Sequence, residues 1–148
     1  MPTAGMSAVR LVLDTNTIIS GLLWQGTPGK LFDAAHNGQV SLFTSVPLLD
    51  ELHGVLYREK FSGQLDKRGL TVTDFFDGYT ALATLVIPAK IAPTIIQDPA
   101  DDAVLACALA AQADLIISGD ADLLTLQEYQ GIRIVDAATA MHLIEQQK

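Results

Sequence analysis

Apolar residues come along this chain in short runs, separated by longer stretches with helical spacing. Strand-like runs occupy residues 9–13, 40–44, 85–88, 114–118 and 132–135, and helical patterns fill most of the intervals. Such alternation predicts an α/β domain built on a mainly parallel sheet. The first run, LVL after Val9 and Arg10, stops at Asp14-Thr15-Asn16-Thr17 and resumes at once with Ile18 and Ile19. A lone carboxylate at the end of a buried strand is costly unless something compensates it. Asp14 therefore needs a partner.

Local signals place the helices. The first is expected to begin within TNTIISGLL. Thr27 can cap a second, with Pro28 at its first position, running to about Asn37 and stopped by Gly38. Ser45 or Val46 precedes Pro47 at the head of a helix of about three turns. The stretch SGQLDKRGLTVTDFFDGYTALATL divides at Gly69 into two short helices, with Thr71 or Thr73 capping the second. Asp98-Pro99 closes a loop, and the helix after it puts Leu105, Ala106, Leu109 and Ala110 on one face. Asp122 is placed to cap LLTLQEY.

Length and composition narrow the class. With 148 residues, 49% of them hydrophobic, the chain fits a single domain over 1–148 with a flexible leader at about 1–8. Cys107 is the single cysteine, which excludes a disulfide framework and thiolate-bound metal. It sits in VLACALAA and reads as a small core residue; Trp24, beside Gly26, likewise reads as packing, and the three histidines share no metal spacing. No stretch approaches the roughly 18 apolar residues of a membrane span, and MPTAGMSAVR lacks the apolar centre of a signal peptide. A cytoplasmic protein without a membrane partner is expected.

Charge changes the picture more by its distribution than by its sum of -8. The excess of acid opposes broad attraction to nucleic acid. From Asp98 onward acids outnumber bases heavily, whereas Arg58, Lys60, Lys67 and Arg68 gather in the middle of the chain. An acidic centre beside one basic patch suits metal-dependent phosphate chemistry.

Four of the acids fall where a site would form. Open parallel sheets bind ligands beyond the carboxyl ends of their strands, near the point where strand order reverses. Asp14 ends the first strand, Asp120 follows the strand-like LIISG, and Asp102 opens the helix leading into that strand. Glu51 has Leu48, Leu52 and Val55 at i-3, i+1 and i+4, on the core side of its helix, whereas Asp50 points elsewhere. Convergence of these carboxylates would raise their pKa values unless cations were present. Oxygen ligands without His or Cys favour Mg²⁺ or Mn²⁺. Thr15, Asn16 and Thr17 supply hydrogen-bonding groups around Asp14.

The segments LVLDTNTIISGLLW, LLDELHGVLYREKF, DPADDAVLACALAAQADLIISGDADLL and IRIVDAATAMHLI together resemble the PIN-domain ribonucleases, nearest the bacterial toxins of toxin–antitoxin pairs. The resemblance spans nearly the whole chain. It implies a single three-layer α/β/α domain with a five-stranded, mainly parallel sheet, and a Mg²⁺ or Mn²⁺ site that hydrolyses single-stranded or looped RNA. The family's four acids match Asp14, Glu51, Asp102 and Asp120, with Asn16, Thr15 and Ser118 in support. Asp101 or Asp98 can share the third role, and Asp122 can share the fourth. A small antitoxin protein is the implied partner, self-association is left open, and Arg58, Lys60, Lys67 and Arg68 are candidates for contacting the RNA backbone.

Rival readings fit less well. A phosphoacceptor receiver domain needs an acidic pair after the first strand and a late lysine, yet past Lys90 the next Lys is Lys148. A haloacid-dehalogenase-type phosphatase needs a second Asp two residues after the first, where this chain has Asn16. A catalytically inactive PIN-fold protein that binds protein or RNA is the remaining alternative.

Overall fold

The computed structural model describes residues 8–23, 27–95 and 99–146. Trp24, Asp98 and the leader before residue 8 lie outside them, as do the side chains of Leu22, Leu23, Thr27, Pro28, Glu59 and Lys60, and with them the cap expected of Thr27. The chain runs β1 (Val9–Leu13), α1 (Thr15–Leu23), α2 (Thr27–His36), β2 (Val40–Thr44), α3 (Val46–Leu56), α4 (Glu59–Lys67) and α5 (Val72–Leu82). It continues through β3 (Thr84–Leu85), α6 (Pro99–Ala111), β4 (Leu115–Ile117), α7 (Ala121–Leu126), β5 (Glu128–Tyr129), β6 (Ile132–Val135) and α8 (Ala137–Glu145).

The strands form one sheet in the order β3-β2-β1-β4-β6-β5. β1 lies between β2 and β4, with Leu11 in register with Leu42 on one side and Leu115 on the other. Five strands are parallel, as expected, and β5 adds an antiparallel sixth. Its two residues join β6 through Gln130 and Gly131, both at positive φ (48° and 86°). Two consecutive positive φ values give the tight turn whose twist matches a hairpin. The third strand is shorter than the run 85–88 suggests: it ends at Leu85, with Val86 N–H donating to the Thr44 carbonyl just beyond. Pro88 has no N–H to extend the ladder.

Alternate strand residues feed two cores. Leu11, Leu13, Leu42, Leu115 and Ile117 pack with α1, α2, α3, α5 and α8 on one face. Val12, Phe43, Ile116, Ile132 and Ile134 pack with α6 and α7 on the other. This is the three-layer α/β/α arrangement, and burial on both faces explains why the strands read as apolar runs rather than alternations. At about 25 cal/mol per Å² of apolar area, each fully buried Leu or Ile contributes roughly 1.5–3 kcal/mol. The core is thus ample to hold polar groups at its rim.

Helix ends follow the local signals closely. Ser45 caps α3 with Pro47 in its first turn, and Thr71 forms a capping box with Asp74 at the head of α5. Gly69 separates α4 from α5 at φ 70°, a conformation open to glycine at little cost. α6 departs from expectation. It buries Val104, Leu105, Ala106, Cys107 and Ala108 consecutively, while Leu109 and Ala110 are half-buried. A helix wedged against a sheet and against α3 has little wet surface, so no single face carries its burial.

Candidate metal centre

β1 runs to one side into β2, while β4 lies on its other side, so strand order reverses between β1 and β4. A crevice therefore opens beyond their carboxyl ends. There the structure has a cleft of about 320 Å³ lined by Asp14, Glu51, Asp101 and Asp120, with Thr15, Asn16 and Arg58 at its sides.

Asp14 follows β1 directly and is 6% exposed. Its Oδ1 accepts from Thr17 N–H at 2.8 Å and its main-chain carbonyl from Ile18 N–H, so it caps α1. Its Oδ2 accepts from the Ser118 hydroxyl. Ser118 is 1% exposed, and its oxygen accepts from Asp120 N–H at 2.9 Å. With that lone pair engaged, the hydroxyl proton is directed at Asp14. A helix start and a hydroxyl thus compensate a carboxylate whose burial would otherwise cost several kcal/mol. The DTN interruption of an apolar run is the head of α1.

Asp120 is the N-cap of α7: one oxygen accepts from Asp122 N–H at 2.8 Å and Leu123 N–H at 3.3 Å. The capping role expected of Asp122 therefore belongs to Asp120, because α7 begins at Ala121, two residues earlier than the LLTLQEY pattern suggests. Asp122 lies exposed in the first turn. Asp101, Asp120 and Asp122 each offer an oxygen, and these atoms all lie within 4.8 Å of one another. At that spacing two carboxylates at the cleft, such as Asp101 and Asp120, repel by about 3 kcal/mol at an effective dielectric constant of 20. A divalent cation converts the repulsion into attraction, and an all-oxygen donor set suits Mg²⁺ or Mn²⁺.

Glu51 is half-buried on α3 among the buried Leu48, Leu52 and Val55, whereas Asp50 is exposed. Helix α3 packs on α6, and this contact brings Glu51 and Asp101 to one cleft.

At the start of α6 the structure separates Asp102 from its neighbour Asp101. Asp102 does not line the cleft; its carboxylate accepts from Ile95 N–H at 2.7 Å and from Thr94 N–H at 3.1 Å, so it ties the segment before α6 to the helix. Asp101, 6% exposed, lines the cleft instead. A sequence signal for this exists. Positions i+3, i+4 and i+7 from Asp101 are Val104, Leu105 and Ala108, all at most 3% exposed, so Asp101 shares the buried stripe of its helix. Asp102 shares its stripe with Leu105, Ala106 and Leu109, the face that the sequence pattern favoured.

Of the four bases, Arg58 lines the cleft from the head of α4. Lys67 and Arg68 lie exposed at the far end of that helix. Cys107 is fully buried, and burial pushes its thiol up to about 11, which keeps it neutral and unreactive near pH 7. No helix among the described residues is long and apolar enough to cross a membrane.

A family model described as a PIN domain matches residues 10–122, from β1 through Asp122. No curated protein and no solved structure matches the chain.

Proposed function

The chain belongs to the PIN-domain family, and we propose that it is a Mg²⁺- or Mn²⁺-dependent endoribonuclease that hydrolyses phosphodiester bonds of single-stranded or looped RNA. The observation that carries this reading is the meeting of Asp14, Glu51, Asp101 and Asp120, from four separate segments, in one cleft at the strand-order reversal.

In this reading Asp14, Glu51, Asp101 and Asp120 hold the metal, with Asp122 at the rim, and Asp102 organises the loop behind them. A divalent ion held by them would supply Lewis-acid chemistry, acidifying a water and neutralising charge on the phosphate. Ser118 and the α1 amide of Thr17 hold Asp14 in one orientation, so its carboxylate does not have to reorganise on loading. Arg58 offers a planar, permanently charged fork to the phosphate oxygens at the cleft edge. Asn16, exposed on the same cleft, offers an amide to the backbone of the bound strand. A flexible single strand suits the site because its backbone can bend into a crevice.

The toxin role and an antitoxin partner rest on the motif resemblance alone. The test of the nuclease reading is incubation of purified protein with end-labelled single-stranded RNA in Mn²⁺ and in chelator. Cleavage in metal alone is expected; binding without cleavage in either buffer would make the chain a binding module on the same fold.

A further inference from the structure

Beyond Asn16 the crevice continues. A second cleft, of about 160 Å³, opens past the carboxyl ends of β1, β4 and β6, lined by Asn16, Thr17, Ser20, Gly119, Asp136 and Ala137. It shares Asn16 with the acid cleft and is backed by Ser118, the residue that bridges Asp14 and Asp120. The two clefts meet at Asn16, so a strand laid along this edge of the sheet passes from one to the other.

We propose that this cleft seats the ribose of the nucleotide adjoining the cleaved phosphate and reads its 2′-hydroxyl. The inference rests on the nuclease reading above and assigns the residues through which its preference for RNA would act.

The lining carries the argument. It holds no aromatic ring, so it offers no stacking platform for a base. Its wall is mainly apolar, which suits the carbon face of a sugar, and the polar groups it adds are the Asn16 amide, the Ser20 hydroxyl and the Asp136 carboxylate. A 2′-hydroxyl both donates and accepts, and it is the group by which a site distinguishes RNA from DNA. Asp136 is exposed, and its Oδ1 accepts from Thr139 N–H at 2.8 Å, which fixes the carboxylate at the mouth of the cleft. Ser20 is half-buried on α1, and Asn16 is exposed one turn earlier on the same helix. Between Ser118 and Asp120 the chain has Gly119, where an added Cβ would meet no heavy atom within 4 Å. A side chain added at Gly119 would therefore stand in the open space of the cleft that this residue lines.

The experiment compares oligonucleotides of one sequence: all-ribose, all-deoxyribose, and ribose with a single deoxyribose at each position in turn. Wild type in Mn²⁺ is expected to cut the all-ribose strand and to lose at least tenfold in kcat/KM when the sugar beside the cut lacks its 2′-hydroxyl. The double variant Ser20→Ala, Asp136→Asn is expected to bring that ratio to within about twofold of one, with Mn²⁺ affinity unchanged. Asparagine keeps the helix cap, so α8 should stay folded. Gly119→Val is expected to raise KM for RNA at least tenfold while leaving Mn²⁺ affinity and melting temperature unchanged. Equal cutting of ribose and deoxyribose strands by wild type overturns the ribose seat and leaves the nuclease reading standing. A ratio that survives in the double variant overturns it as well. If metal-loaded wild type cuts none of the strands, the nuclease reading fails and the ribose seat with it.

Discussion

At the scale of single residues, the site depends on a hydroxyl that is not itself a ligand. Ser118 accepts from the Asp120 amide and donates to Asp14, tying together acids that are 106 positions apart in the chain (120 minus 14). Ser118→Ala removes a buried donor to a carboxylate and leaves the Asp120 N–H unsatisfied, a loss of about 1–3 kcal/mol. Urea unfolding of the metal-free protein should register it; a change below about 0.5 kcal/mol would show that Asp14 is compensated elsewhere. Much of this was legible beforehand. Asp14, Glu51 and Asp120 stand out because each is an acid where the apolar pattern calls for something else. Asp101 was harder to single out, since three acids crowd the start of one helix and any of them complements its dipole. Telling which of them faces the cleft needs the helix phase, and the face expected to carry Leu109 and Ala110 is not the most buried one, because α6 is buried nearly all round. Gly119, Ser20 and Asp136 carry no signal of their own: a small residue, a hydroxyl and a helix cap become a cleft when β1, β4 and β6 end together.

At the scale of elements, α3 decides which acid enters the cleft. Glu51 shares its face with Leu48, Leu52 and Val55, and Asp50 does not. Glu51→Gln is expected to lower RNA cleavage at least a hundredfold, and Asp50→Asn less than threefold; equal losses in a cleavage assay would refute this helical phase. The cap of α8 makes a separate, pH-dependent expectation. The Thr139 backbone N–H bond, with the Thr139 side chain in second place, holds the Asp136 carboxyl below the usual carboxylate range. A depressed folded-state pKa means that the cap's contribution is complete above the ordinary aspartate value of about 3.9. It is lost as pH falls through the lower folded value. Amide exchange at Thr139 should therefore accelerate relative to the rest of α8 on acidification below about pH 4 in wild type, and not in Asp136→Asn; identical profiles would contradict it. The strands and most helices were readable because caps and apolar runs are local signals. β5 was not, since two residues leave no pattern and its pairing depends on the Gln130-Gly131 turn. β3 was overestimated because the apolar residues of 85–88 include the exposed Leu85 and Ile87.

At the scale of the molecule, the proposed function asks a chain of net charge -8 to bind a polyanion. The fold resolves this by concentrating acid where cations can neutralise it and placing Arg58 at the edge of that same cleft. RNA binding by wild type in Ca²⁺ should then release few counterions, giving a shallow dependence on salt. Chelator should abolish binding at the crevice. Replacing Arg58, Lys60, Lys67 and Arg68 together by Ala should weaken binding and flatten the slope further without altering metal affinity. Tight binding in chelator with a steep slope that survives the four substitutions would put the RNA on another surface.

Calorimetric titration of Mn²⁺ into wild type, Asp101→Asn and Asp102→Asn tests the central claim, that the cleft carboxylates hold the metal, most directly. Wild type should bind, Asp101→Asn should bind at least tenfold more weakly, a loss of about 1.4 kcal/mol or more, and Asp102→Asn should match wild type. No heat of binding in wild type, or equal affinity in wild type and Asp101→Asn, would contradict the account.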